Sequence, residues 1–373
     1  MKPKICFCAL NAYPLLSGTN LGFTGGAEFQ QVLLAKELVK RGFDSSFVVF
    51  DHGQEPFEII DGIRIYKTVP KGYILSGVGS LYHAIKSVWN ALKKAGADIY
   101  CERGAGRGYD MGFIALFCLL KRKRFICAIA NDDAAEGKYI KTLKLHQRVL
   151  YNFGLKRADC IIAQSEYQQE LLKRNFNRDS IILKSLYPIE KVGKSEGDLI
   201  VLWVGTVKPE WKQPELFLKL ADAIPDAKFQ MVGGAGTDKK FYAEIKGEAK
   251  RIPNLQFVGF VPYPDVNKYF ENAAIFVNTS SSEGFPNTFI QAWSYYVPTV
   301  SLNVNPDGII SKLKLGFHSK TFDQLVRDIK TLLKDEELRR QMGKNARQYV
   351  EREHDITKIV DKYIEVFDYL RLG

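Results

Sequence analysis

Short apolar runs alternate with longer amphipathic stretches along the chain, and the alternation restarts once near the midpoint. Lys4–Leu10 reads as a strand, Ala27–Arg41 as a helix ended by Gly42, and Asp44–Phe50 as the next strand. Asp61-Gly62, inside Glu58–Tyr66, marks a hairpin turn. Gly79–Lys94 has helical period, and Asp98–Cys101, Arg124–Ala130 and Asp159–Ala163 read as buried strands with helices between them. Leu186–Asp198 has no period and collects Pro188, two glycines and several charges. Beyond it the pattern predicts strands at Leu199–Val204, Lys228–Val232, Leu255–Gly259, Ala274–Asn278 and Pro298–Leu302. Helices are expected at Gln213–Ala223, Lys239–Lys250 and Asn287–Tyr296, with a helical tail from Thr321.

Such alternation means parallel sheets covered on both faces. Two runs about a central break predict two doubly wound α/β domains, 1–186 and 199–353, joined by a linker at 187–198 and followed by a C-terminal helix over 354–373. A single (β/α)8 barrel would have neither a dozen strands nor the midpoint linker. Ligands of doubly wound sheets bind at the carboxyl ends of the strands.

Composition narrows the class. The 373 residues are 46% hydrophobic and 25% charged, which excludes disordered and fibrous chains. The longest apolar run, Met111–Leu120, is far short of the roughly 20 residues a spanning helix needs. The apolar run at the N-terminus breaks at Asn11 and Pro14 and reads as a strand rather than a signal peptide. All six cysteines precede residue 161 without a CxxC pair, so buried free thiols in a reducing cytoplasm are expected, and no metal site. The net charge of +11 is concentrated in residues 1–186. That suggests an anionic partner for the first domain: nucleic acid, a membrane surface or a phosphorylated substrate. A diffuse solvated surface is the plainer alternative.

The glycine-rich loops exclude some chemistry. Gly104-Ala-Gly106-Arg-Gly108 has Tyr109 where a dinucleotide fingerprint needs its third glycine, and no Walker lysine follows any GxxxxG. Gly25-Gly26 opens the first long helix and would let backbone N–H groups approach a phosphate or a sugar. Gly205-Thr206 follows a strand and precedes Lys208 and Lys212, which suits a diphosphate. The richest stretch runs Ser280-Ser-Ser-Glu283-Gly-Phe-Pro286-Asn-Thr-Phe-Ile-Gln291-Ala-Trp. It offers a carboxylate, a helix N-terminus suited to an anion, and an amide one turn further on.

Here the chain resembles the retaining glycosyltransferases of the GT-B fold, family 4 type, also called glycosyl transferases group 1. Their loop carries Glu-Gly-Phe and a second acidic residue, where this chain has Glu283-Gly284-Phe285 and Gln291. The likeness extends to Gly25-Gly26-Ala27-Glu28, to the segment from Trp203 through Gly205, Lys212 and Phe217, and to Gln230–Gly234 and Gln256–Pro262. It implies two Rossmann-like domains facing across a cleft, with the C-terminal helix crossing back to the first. It implies Lys212 on the leaving diphosphate, with Lys208 supplying the charge of the arginine usual where Thr206 stands. Glu283 would hold the donor sugar, the backbone from Gly284 through Phe285, Pro286 and Asn287 to Thr288 the sugar and phosphate, Gln291 the ribose, and the backbone near Val261 the base. Many relatives have a histidine after the strand Phe125–Ala130. This chain has Asn131-Asp132-Asp133, so Asp132 is the candidate to orient the acceptor, with an Asx cap as the alternative.

The resemblance implies a metal-independent transferase without a cofactor, in which the leaving phosphate helps take the acceptor's proton. The donor would be a nucleotide sugar. The acceptor would be a glycan or a polyprenyl-diphosphate-linked glycan, in cell-surface polysaccharide or glycolipid synthesis. Lys138, Lys141, Lys144 and Arg148 fall at helical spacing, so one basic helix face is expected to lie on an anionic membrane, placing a cytoplasmic protein on the inner membrane face. Two rival readings are a GT-B nucleotide-sugar epimerase and a non-enzymatic basic binding module. No aromatic-basic RNA signature supports nucleic acid as the partner.

Overall fold

The computed structural model describes residues 2–19, 25–74, 78–104, 110–190, 199–236 and 238–372. These form two compact units. The first comprises 2–19, 25–186 and 356–372, and the second 187–355. The linker residues 191–198, Thr24 and the glycine-rich residues 105–109 lie outside the described residues.

The first unit holds strands β1 (Ile5–Cys8), β2 (Ser45–Asp51), β3 (Phe57–Ile60), β4 (Ile63–Pro70), β5 (Ile99–Arg103), β6 (Arg124–Ala128), β7 (Cys160–Ala163) and β8 (Ile181–Ile182). Their order across the sheet is β3-β4-β2-β1-β5-β6-β7-β8, parallel except for β3, which folds back on β4 around Asp61-Gly62. Alternate strand residues feed two cores. Cys6, Cys8, Tyr100 and Cys127 meet helices Val78–Ala95, Asp110–Lys121 and Leu145–Arg157. Phe7, Phe47, Ile99 and Ile126 meet helices Gly26–Lys40 and Ile356–Leu372, the latter through Ile359, Tyr363 and Phe367. Burial on both faces explains why these strands are continuously apolar. Five of the cysteines are buried and Cys160 is partly exposed, all as free thiols. Burial pushes the Cys101 and Cys127 thiols well above their ordinary range.

The second unit contains β9 (Ile200–Val204), β10 (Lys228–Val232), β11 (Leu255–Gly259), β12 (Ala273–Asn278), β13 (Thr299–Ser301) and β14 (Gly316–His318). All run parallel in the order β11-β10-β9-β12-β13-β14. This is the doubly wound dinucleotide-type order, with its direction of winding reversing between β9 and β12. The corresponding reversal in the first sheet lies between β1 and β5.

Three differences from the sequence reading have physical causes. The helical tail is three helices, Phe322–Lys334, Glu336–Glu353 and Ile356–Leu372. The first two are divided at Asp335, which is extended and caps the helix after it. The short strands β8 and β14 carry too few apolar residues to show a period. The single basic helix expected over Lys138–Arg148 does not exist. Helices Lys138–Thr142 and Leu145–Arg157 are separated by extended Leu143 and Lys144. Buried Leu143 packs into the first core, which breaks the helix and with it the basic stripe.

Candidate functional site

In the second unit, the loops leaving β9 and β12 emerge side by side at the reversal point, the position where doubly wound sheets place ligands. They are stitched together. The Trp203 indole N–H donates to Thr279 Oγ1 at 3.0 Å, and that hydroxyl donates to the Lys212 carbonyl at 2.7 Å. The Ser281 N–H donates to the Trp211 carbonyl at 2.8 Å. Past Lys212 the chain turns sharply, because Gln213 sits in the left-handed region at φ 45° and Pro214 opens the helix Pro214–Ala223. Gly233 lets the ends of β9 and β10 close up: a Cβ there would stand 2.0 Å from the Gly205 carbonyl oxygen.

This frame brings Lys212 and Glu283 together across 71 residues of sequence. Lys212 Nζ donates to Glu283 Oε1 at 2.5 Å, with the two side chains 21% and 17% exposed. The Ser280 hydroxyl donates to the same oxygen at 2.6 Å, and Asn278 Nδ2 lies 3.5 Å away. Burial alone would raise the Glu283 carboxyl, but the Lys212 ammonium and these hydrogen bonds outweigh it and hold the group below its ordinary range. Lys208 stands over the Trp211 ring, 4.2 Å from its centroid. Burial first, and then the Lys212 charge, push its ammonium down. Two cations close enough to disfavour each other are a site that an anion would relieve.

Phe285 packs on Trp293 and His354, with centroids 6.0 and 4.7 Å apart, which anchors the loop after Glu283. Gly284 and Pro286 are buried, and Asn287 and Thr288 form a partly exposed first turn of the helix Asn287–Ser294. The opening N–H groups of a helix lie outside its i→i−4 ladder and carry the positive end of its dipole. Gly205 and Thr206 follow β9 directly, and Val261 lies in the turn between β11 and the helix Tyr263–Glu271.

Gln291 stands elsewhere. It is 2% exposed, and its Nε2 lies 3.4 Å from Asn267 Oδ1, which also accepts the Tyr187 hydroxyl at 2.8 Å. The amide expected to share the crevice with Glu283 thus belongs to a buried polar cluster of its own. The residues that the sequence reading missed are Asn278, Thr279, Ser280 and Trp211. Their only signal was a serine run beside Glu283, since their roles depend on pairing between two distant loops.

The remaining candidates lie in the first unit. Gly25 is the N-cap of the helix Gly26–Lys40, and the Glu28 carboxylate folds back into the space that a Cβ on Gly25 would need. An anion approaching that helix end would meet a like charge. Asp132 opens the short helix Asp132–Glu136, which Asn131 caps by accepting from the Ala134 N–H at 2.9 Å. The Asx cap is therefore Asn131. Of the four basic residues thought to share a helix face, Lys138 is ion-paired with Glu136, and Arg148 donates to the Leu143 and Lys141 carbonyls at 2.7 and 2.8 Å. Lys141 and Lys144 are exposed. Among the described residues, no helix is long and apolar enough to cross a membrane.

Comparison with known proteins agrees with this geometry. Residues 188–349 match the family model for glycosyl transferases group 1, and residues 24–183 match that for glycosyltransferase family 4. The chain is 25% identical over 358 residues to an uncharacterized glycosyltransferase of Haemophilus influenzae, covering 92% of this chain and 96% of that one. It superposes on sucrose-phosphate synthase from Thermosynechococcus elongatus with a TM-score of 0.80 at 16% identity, over 100% of both chains. With Anabaena HepE, solved with UDP and glucose, the TM-score is 0.74 at 16% identity, over 98% of this chain and 100% of that one. With a reversal-point site in the second unit and family models matching both halves, the chain belongs to the glycosyltransferases of family 4 type, with the GT-B fold.

Proposed function

We propose that the enzyme transfers a sugar from a nucleotide-sugar donor to a hydroxyl of a glycan or lipid-linked acceptor with retention of anomeric configuration. The Lys212–Glu283 pair at the reversal point of the second sheet is the observation that carries this reading. Breaking a sugar–phosphate bond builds negative charge on the leaving diphosphate and positive charge on the sugar. Preorganised donors aimed at the developing charge supply most of such catalysis. Lys212, with Lys208 beside it and the first-turn N–H groups of Asn287–Ser294, suits the diphosphate. Glu283, kept ionised by its partners, suits the donor sugar's hydroxyls.

Gly205, Thr206 and Val261 complete the donor side of this reading, while Gln291, buried against Asn267, serves the packing behind it. Asp132, after β6 in the first unit, would orient the acceptor hydroxyl, and the leaving phosphate would receive its proton. Among the described residues no second carboxylate acts on Glu283, and since the glycosidase arrangement needs two paired carboxyls this favours front-face attack. The first unit's charge supports an acceptor carrying phosphate, with Lys141, Lys144 and exposed Leu145 and Val149 available to an anionic membrane. HepE's structure with UDP and glucose is a precedent within the fold for such a donor.

The test is turnover of a nucleotide-sugar panel with and without lipid-linked and free glycan acceptors, with product anomers read by NMR. Transfer with retention is expected, and the response should require Lys212. Inverted product would overturn the retaining mechanism. A free epimerised sugar released without any acceptor would overturn transfer itself.

A further inference from the structure

A chain of buried hydrogen bonds crosses the first unit and ends on Asp132. Arg103, the last residue of β5, donates from Nη2 to Ser185 Oγ at 3.0 Å. That hydroxyl donates to Gln164 Oε1 at 3.2 Å, and Gln164 Nε2 donates to the Ile129 carbonyl at 2.7 Å. The Gln164 backbone N–H donates to Gln168 Oε1 at 2.9 Å, and Gln168 Nε2 donates to Asp132 Oδ1 at 2.9 Å. Ser185, Gln164 and Gln168 are each at most 2% exposed.

Every direction in this chain is fixed. A backbone N–H can only donate, so the Gln168 oxygen must face Gln164 and its amide nitrogen must face Asp132. At the far end no carboxylate pairs with Arg103 among the described residues; Tyr363 stands beside its guanidinium, and its Nε is buried without a hydrogen-bond partner. Two hydrogen-bonded segments thus meet at Gln164: Arg103 and Ser185 fix its side chain, and its backbone N–H fixes the Gln168 amide that faces Asp132. The helix Asp132–Glu136 has five residues and cannot stand alone. Besides Gln168, the helix Glu166–Phe176 holds it through Tyr167, whose hydroxyl donates to Glu136 at 2.7 Å, and Asn175, which donates to the Ala135 carbonyl at 3.0 Å.

We propose that Gln168 is a positioning residue that fixes the Asp132 carboxylate for the acceptor hydroxyl, backed by Gln164, Ser185 and Arg103. This rests on the reading of Asp132 as the acceptor-orienting group. Among the described residues, the titratable groups near Asp132 include Asp133 and Glu136 on its own helix, Lys138 beyond it and Tyr167 facing it. None of them makes the amide contact to Oδ1.

The experiment uses the full chain and the variants Q168M, Q168E and D132N. One measurement is a 13C NMR titration of carboxyl-labelled aspartate, with D132N identifying the Asp132 resonance. The other is transfer from UDP-glucose to a panel of p-nitrophenyl glycosides, with UDP release in the absence of acceptor as a control. Loss of a donor to the charged form should move the Asp132 titration to higher pH in Q168M. Transfer kcat should fall about tenfold with acceptor KM within about twofold, as a misplaced catalytic group allows. Acceptor-free UDP release should stay at the wild-type rate, and D132N/Q168M should be no slower than D132N. Q168E, isosteric and still able to accept from Gln164, covers the case in which Q168M does not fold and is read by transfer kcat and acceptor KM alone, since its own charge would raise the Asp132 titration. An unmoved titration in folded Q168M, or full transfer when D132N is impaired, overturns the positioning role. Wild-type transfer by D132N overturns the reading of Asp132 beneath it, and the proposal with it.

Discussion

The two units place their candidate groups at the carboxyl ends of similar sheets, but they stabilise them by different physics. In the second unit a carboxylate is held by a cation in direct contact, with a hydroxyl on the same oxygen. In the first unit a carboxylate is held by a neutral amide, and the nearest cation along that chain, Arg103, is four hydrogen bonds away. Under the proposed function, the direct pair suits a diphosphate, an incoming anion that would compete for Lys212. The amide chain suits a site that must fix direction while keeping the carboxylate's charge available. Charge placement follows the same division: the second half of the sequence is nearly neutral overall and concentrates its positive charge locally, whereas the first half is broadly basic.

The largest effect should come from breaking the direct pair. Lys212→Ala should lower transfer by on the order of a hundredfold, as loss of one contact to transition-state charge does. Unchanged kcat would remove Lys212 from the phosphate site and erase the contrast between the units. A smaller change is expected for Glu283→Gln, which keeps a hydrogen-bonding oxygen but not the charge, while Glu283→Ala should be worse for donor KM.

The pH dependence follows from the sign of the Glu283 shift. Its carboxyl is lower in the folded protein than in the unfolded chain, so its contribution to stability is complete above the unfolded value, about 4.3. That contribution should be lost as pH falls through the lower folded value. Acid unfolding monitored by circular dichroism should therefore be shifted upward in Glu283→Gln. A wild-type acid transition in that variant would show the pair to be thermodynamically idle.

Gly233→Ala probes the frame rather than the charge. Its new methyl would overlap the Gly205 carbonyl, so the ends of β9 and β10 must separate. A cost of about 1–3 kcal/mol is expected, the range of other overpacking changes, read as a lowered midpoint in urea. The smallest effect concerns the basic half. Lys141→Gln with Lys144→Gln should weaken sedimentation with anionic vesicles, by about 1 kcal/mol per charge. Acceptor-free use of the donor should not change. Retained sedimentation would assign the membrane contact, if any, to another face.

Much of the fold was legible because buried parallel strands must be apolar and their connecting helices amphipathic. Phe7, Phe47 and Ile126 in the first sheet, and Val201, Ile275 and Val277 in the second, announce themselves by that rule. Lys212 and Glu283 were legible as separate loop residues beside Gly205 and Gly284. What the chain's pattern could not show was the break at Leu143, where burying one side chain outweighed helical spacing of four basic residues.

Sequence by itself determined the two doubly wound runs, the family resemblance and the identity of the charged loop residues, since each depends on neighbours within a few turns of chain. Tertiary structure alone decided which of those residues meet. Strand order set the loops after β9 and β12 side by side and so joined Lys212 to Glu283. It withdrew Gln291 into a cluster with Asn267 and Tyr187. It also lined up Arg103, Ser185, Gln164 and Gln168 behind Asp132. The reason is physical: a hydrogen bond or an ion pair depends on distances of about 3 Å, and between residues 71 positions apart only the packing of the sheet sets such a distance.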